Sequence, residues 1–198
     1  MKKWLIAFAV HAALVLADGA LTYYNTPDLA NEGNPLVTRL NLGWGALITI
    51  NLLFLVAMFF LCRFVFEKYQ TIVADVPNVR SYISQLWFNR PDKFAWTFYK
   101  LPKNWKPVLA NSGYAIYFAF CAGRLICVLE WVGVSIGLDM SGYYSFRDKL
   151  LFGRLDILVA CVVGIAFLFI WYYVEYRNNQ KLLAVEQDNV EPEPDSGT

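Results

Sequence analysis

Four apolar stretches, each long enough to cross a lipid bilayer, constrain this chain more than any other feature. A helix needs about 20 apolar residues to span the hydrocarbon core. No water is present there to satisfy backbone polar groups, so a lone spanning segment is a helix. The first span covers residues 4–24 and is interrupted by His11, Asp18 and Thr22. The second covers 44–66, with Asn51 and Arg63 inside it. The third covers 107–138 and carries Arg124 and Glu130. The fourth covers 150–173, with Arg154 and Asp156 near its start. The expected fold class is an all-α integral membrane protein: a bundle of four transmembrane helices, with short outer helices and an amphipathic cytoplasmic loop.

Composition agrees. Charged residues make up 17% of the 198 positions, where soluble domains average roughly a quarter. The net charge of +1 leaves no surplus to suggest nucleic acid or an acidic macromolecular substrate. Cys62, Cys121, Cys127 and Cys161 lie inside apolar stretches and form no C-x-x-C pair, which argues against a secreted disulfide framework. A single buried disulfide between Cys127 and Cys161 is an alternative to their being free apolar fillers. Met1 to Ala20 also has the layout of a signal peptide: Lys2 and Lys3, an apolar run, then small residues near Ala17. That run is long for a signal, so the segment is taken as a span.

The basic residues set the expected orientation. Lys2, Lys3, Arg63, Lys68 and the lysines and arginines of 80–106 and 177–181 fall on one side. Arg39, Arg147 and Lys149 fall on the other. The richer side is expected in the cytoplasm, which places the protein in the inner (cytoplasmic) membrane with both termini inside. The cytoplasmic loop, 67–106, interleaves Phe94, Trp96, Phe98 and Tyr99 with Lys93, Lys100, Lys103 and Lys106. Such a mixture suits an anionic lipid surface and explains the composition without nucleic acid. In it, Ile83, Leu86 and Trp87 share one helical face. The acidic segment 177–198 is expected to be a disordered tail outside the transmembrane domain of 1–176. The outer connection 25–43 contains Thr26-Pro27 and Asn34-Pro35, each an N-cap followed by proline, so two short helices are expected there.

Ionisable groups inside a membrane are costly and mark candidate sites. His11, Asp18, Thr22 and Asn25 recur at spacings of seven, four and three, on one stripe of the first helix. Asp18, Glu32, Glu130 and Asp156 gather toward the outer end, with Arg154 and the deeper Arg124 as the bases and Asn51 in the outer half of the second span. Arg154 and Asp156 are two residues apart, so on a helix they face nearly opposite ways. Asp156 is expected to point inward and Arg154 to reach the interface by snorkelling. Four carboxylates outnumber those arginines. A binding site therefore stands beside the structural alternative, in which the carboxylates only pair with arginines or cap backbone donors and fix how the helices pack.

Asp18-Gly-Ala-Leu-Thr22, followed by Glu32-Gly-Asn34-Pro35-Leu36, resembles a family of small bacterial and archaeal membrane proteins of unknown function. That family shows Asp-x-x-x-Thr at the end of one span and Glu-x-Asn-Pro-Leu before the next. The match covers roughly residues 10 to 66 and implies a fold unit without an activity. The second hairpin lacks the signature.

Carboxylate and amide oxygens suit a hard divalent cation, with Asp18 and Glu32 as the first candidate ligands and Asn34 as a third. His11, the lone histidine, lies about two turns deeper than Asp18, too far to share its first shell. No nucleophile motif or Gly-rich phosphate loop is present. The leading expectation is an accessory or binding protein whose outer-leaflet cluster (Asp18, Thr22, Glu32, Asn34, Glu130, Arg154, Asp156) takes a small polar ligand or cation. A membrane-embedded enzyme acting on a lipid-linked substrate is the first alternative. It would bring Asp18 and Glu32 to within about 5–6 Å of an open cleft. A small oligomeric ion or proton transporter is the second. Expected partners are the bilayer, anionic lipid at the loop, and a second copy or another membrane protein.

Overall fold

A computed structural model describes residues 2–29, 37, 40, 42–149 and 154–188. Among the described residues the chain is helical and contains no strand. Its elements are α1 (Lys3–Asn25), α2 (Trp44–Arg63), α3 (Val79–Phe88), α4 (Trp105–Ser135), α5 (Ser141–Arg147) and α6 (Leu155–Asp188). A π-helical turn, Phe64–Lys68, extends α2, and a 3₁₀ turn, Phe94–Phe98, follows α3. α1, α2 with its π turn, α4 and α6 are long and apolar enough to cross a membrane.

Two boundaries differ from the expected spans. α4 begins at Trp105, because Pro107 falls in its first turn, where a missing N–H costs nothing. α6 runs to Asp188, so residues 177–188 of the expected disordered tail are helical. There Tyr176 donates a hydrogen bond to the Pro77 carbonyl (3.2 Å) and Asn179 is fully buried. These anchors outweigh the polar composition of the segment.

The chain forms two compact units: residues up to Lys68 with Gly113–Phe167, and Tyr69–Ser112 with residues from Leu168 onward. α4 and α6 contribute to both.

The core of unit 1 is a cluster of Ala7, Met58, Cys62 and Tyr117, ringed by Phe8, Phe54, Leu61, Phe66, Phe118 and Cys121. Tyr117 donates to the Ala7 carbonyl at 3.0 Å, which fixes α4 against α1. Helices approach closely where one of them lacks a side chain. A Cβ on Gly113 would lie 2.7 Å from Val65 and 2.8 Å from Leu61; one on Gly164 would lie 3.2 Å from the Ala119 Cβ. Small residues at such crossings supply the packing that drives helix association in lipid. The outward apolar side chains of α2 (Leu52, Leu53, Val56 and Phe60) are exposed on the protein, as suits a lipid-facing surface.

Beyond α1, Thr26–Leu29 form a turn, and Trp44 closes it by donating to the Pro27 carbonyl at 2.7 Å. The two short helices expected over 25–43 fall mostly outside the described residues; Thr26–Leu29 themselves form a turn. α4 ends in a Schellman motif. The Leu138 N–H bonds the Gly133 carbonyl, the Gly137 N–H bonds that of Val134, and Gly137 takes a φ of +73°. The chain then turns into α5.

Unit 2 turns the 69–112 segment into a folded structure. Asn78 caps α3 by accepting from the Ser81 N–H at 3.0 Å, and Asn89 ends it in the left-handed region. Tyr82, Ser84, Leu86 and Phe88 of α3 are buried. Of the face expected from helical spacing (Ile83, Leu86 and Trp87) only Leu86 is buried, Ile83 and Trp87 being half-buried. The Asn179 side chain accepts from the Ala74 N–H (2.8 Å) and donates to the Ala74 carbonyl (2.9 Å). Trp87 donates to the Tyr172 hydroxyl at 2.9 Å.

Candidate functional site

The buried residues of α1 are Ala7, His11, Val15, Asp18 and Thr22, spaced at three or four so that they form one inward stripe. Asp18 is its carboxylate. In an apolar bundle such a group needs a partner of opposite charge, and α4 supplies one. Arg124 donates through one terminal nitrogen to the Asp18 carboxylate, and through the other to the Asn51 side-chain oxygen at 2.6 Å. Asn51 is oriented from its own helix, since its amide nitrogen donates to the Leu47 carbonyl at 2.9 Å. That leaves its oxygen for Arg124. One guanidinium thus joins α1, α2 and α4. The Asp18 and Arg124 side chains keep 12% and 27% of their exposure, so the pair is largely removed from solvent.

Asp156 and Arg154 do not diverge as helical spacing led us to expect. Arg154 grips Asp156 with two hydrogen bonds, Nε to Oδ1 at 3.0 Å and a terminal nitrogen to Oδ2 at 2.7 Å. α6 begins at Leu155, so Arg154 lies outside the helix and folds back over its first turn. Helical geometry does not govern it, and the expected snorkelling position is replaced by a fork-on-carboxylate pair. Asp156 also occupies the helix N-terminus, where negative charge is favoured.

Glu130 is held by α5. The Tyr143 hydroxyl donates to one carboxylate oxygen, and an Arg147 terminal nitrogen lies 3.4 Å from the other. Arg147 also stacks over Tyr144, 4.7 Å from the ring centroid. Its Nε is buried and has no hydrogen-bond partner among the described residues. Arg147, expected as a plain loop charge, is a member of the cluster that sequence reasoning missed.

The three pairs are neighbours. Arg124 and Glu130 lie on α4, and a Cβ on Gly123, next to Arg124, would lie 3.3 Å from the Asp156 carbonyl oxygen. Asn25, at the end of α1, donates to Ser135 at the end of α4 (2.9 Å). The result is a layer of alternating charge at one end of unit 1. Each of its three described carboxylates has an arginine, so the excess of acid expected from the sequence is absent among them. Carboxylates that share a proton sit against each other; here each sits against a guanidinium.

Thr22 is buried one turn beyond Asp18. Glu32 and Asn34 lie outside the described residues. Of the expected cation ligands Asp18 and Glu32, only Asp18 can be placed, and Arg124 occupies its carboxylate. Among the described residues no group of three or more His, Cys, Asp and Glu side chains is arranged to hold a metal ion. His11 is fully buried two turns deeper, its Nδ1 3.8 Å from the Cys121 sulfur. The four cysteines are free.

Comparison with protein-family models, with curated proteins and with solved structures gives no match to this chain.

Proposed function

We propose that this chain is an integral membrane accessory or binding protein, in which the paired-charge layer of unit 1 orders the helices and accepts a small polar ligand. The observation that carries this reading is the Arg124 bridge to Asp18 and Asn51. It commits the most deeply placed carboxylate of the layer to holding three helices together. A hard cation at Asp18 would have to displace a guanidinium. A small ligand meets less resistance at the loosest pair, Glu130 with Arg147. Their contact is 3.4 Å long, the guanidinium shares its other terminal nitrogen with exposed Asp148 at 3.6 Å, and the Arg147 Nε is a buried donor without an acceptor among the described residues. That donor favours a ligand bearing an anionic group, and an additional cationic group on the ligand would meet Glu130.

The basic-residue asymmetry supports the remaining placement. With the 69–112 segment in the cytoplasm, both termini are cytoplasmic, the charge layer faces the outer leaflet and the membrane is the inner one. A second copy or another membrane protein would pack on the exposed apolar faces that lipid does not cover.

A thermal melt of the detergent-purified protein tests the reading, since a ligand that binds the folded state raises the melting temperature. Small zwitterions, small anions, divalent cations and a chelator are each added to the wild type and to Arg147→Gln. Stabilisation of the wild type by an anion or zwitterion, abolished in the variant, supports it. Stabilisation by a divalent cation that is unchanged in the variant overturns it in favour of a cation site.

A further inference from the structure

The turn between α3 and α4 gathers three cations around one aromatic ring. Lys100 Nζ lies 3.7 Å from the centroid of Trp96, Lys93 Nζ 5.9 Å and the Arg90 guanidinium carbon 6.0 Å. The scaffold holding them is built from buried groups. The Ser84 hydroxyl donates to the Arg90 carbonyl at 2.5 Å and accepts the Lys93 N–H at 3.1 Å. Trp96 packs edge-on against buried Phe88, with centroids 5.6 Å apart. The Trp87 carbonyl accepts both the Lys103 and the Asn104 N–H, which pins the return into α4. Asp92 neutralises one charge by pairing with Lys93 at 2.6 Å. Three cations thus gather on one ring against the one carboxylate of Asp92, whose charge reaches Arg90 as well, and the surplus positive charge calls for an anion.

Beside this cluster three apolar side chains point outward: Phe98 is 79% exposed, Tyr99 68% and Leu101 80%. In a water-soluble loop such a run would be an aggregation liability. Here the next helix starts at Trp105 and is itself long and apolar enough to cross a membrane. Chain continuity therefore puts Leu101 and its neighbours at the depth of the bilayer surface, where aromatics and lysines are favoured together.

We infer that the Trp96-centred cluster of Arg90, Lys93 and Lys100 binds the phosphate of an anionic phospholipid, while Phe98, Tyr99 and Leu101 sit in the adjacent acyl boundary. Arginine and lysine suit a phosphate oxygen array, the former by its fork and the latter by its point charge. The leaflet is the one on the side of the 69–112 segment. The site is separate from the charge layer of unit 1 and does not depend on that reading.

The test uses the full chain, purified in micelles containing equal amounts of phosphatidylglycerol and phosphatidylcholine, with the retained lipids quantified by mass spectrometry. The wild type should retain the anionic lipid several-fold over the zwitterionic one. Removing a surface cation weakens such attraction by about fivefold. Arg90→Gln with Lys100→Gln should therefore bring the ratio near unity without changing the melting temperature, because both side chains are exposed. Lys181→Gln, an exposed lysine outside the cluster, should leave the ratio unchanged. An equal loss in Lys181→Gln would show generic charge attraction and overturn the site. Displacement of the lipid by millimolar glycerol phosphate would mean that a free phosphate is the ligand, and would overturn the lipid assignment. So would tight binding of a single-stranded RNA without lipid preference.

Discussion

Arg124 reaches Asp18 from a helix 106 positions further along the chain, and its second terminal nitrogen holds Asn51 on a third helix. A half-buried guanidinium with both hands occupied behaves as a tie between segments. The chemistry of unit 1 follows from that geometry.

The Glu130 corner should be separable from the Asp18 corner. Tyr143→Phe removes the hydroxyl that donates to Glu130 while keeping the ring. A hydrogen bond to a charged group contributes about 1.5–3 kcal/mol. The variant should melt lower than the wild type, and hydrogen exchange should rise in 138–149 without rising in α1. Increased exchange along α1 would mean that the two corners open as one.

Unit 2 should weaken at high pH. Burial, reinforced by the Glu175 carboxylate, pushes the phenols of Tyr69 and Tyr82 well above the usual value of 10.0. The neutral phenol is therefore favoured in the fold. This contribution is present below the unfolded pKa, about 10, and is lost as pH rises from there toward the folded value. Melting temperatures measured on either side of about pH 10 should fall in the wild type. Tyr82→Phe, which also loses the bond to the Ile72 carbonyl (2.8 Å), should start lower and fall less steeply. Equal slopes would remove Tyr82 from the effect.

Asn179 should be the most sensitive polar residue of α6. Its amide satisfies both the N–H and the carbonyl of Ala74 from a fully buried position. Asn179→Ala orphans two backbone groups, each costing roughly 1–3 kcal/mol. Limited proteolysis should then cut 69–77 faster, while cleavage in 136–149 stays unchanged. No change in 69–77 would mean that this segment is held elsewhere.

Much of the architecture was legible because lipid leaves so few choices. Long, mostly apolar runs specified four helices, and the His11–Asp18–Thr22 spacing specified which face of α1 is buried. The misreadings each have a local cause. Arg154 was placed by helical spacing although it lies one residue outside the helix. Residues 177–188 have the composition of a solvated tail, and the fixed positions of Tyr176 and Asn179 override it. Arg147 was set aside as a loop charge because nothing in the spacing of α5 shows that the helix folds back onto Glu130. The match of Arg124 to Asp18 depends on how α1 and α4 pack. Periodicity within one helix does not encode it.

Close packing at Gly113 offers a check on helix approach in unit 1. Gly113→Val places side-chain atoms where Val65 and Leu61 already lie. Overpacking of this kind costs typically about 1–3 kcal/mol. Adding Val65→Ala should restore part of the lost melting temperature. Failure of the second substitution to help would mean that the helices are further apart than described.

The tie itself is tested most directly by a double-mutant cycle on Asp18→Asn and Arg124→Met, read as unfolding free energy of the full chain in a membrane mimetic. Each single variant strands a largely buried partner and should lose about 3–5 kcal/mol. The double variant should lose less than the sum, leaving a coupling energy of about 1–3 kcal/mol. Losses that add to within about 0.5 kcal/mol would show that the two residues act independently, and would contradict the Arg124 bridge.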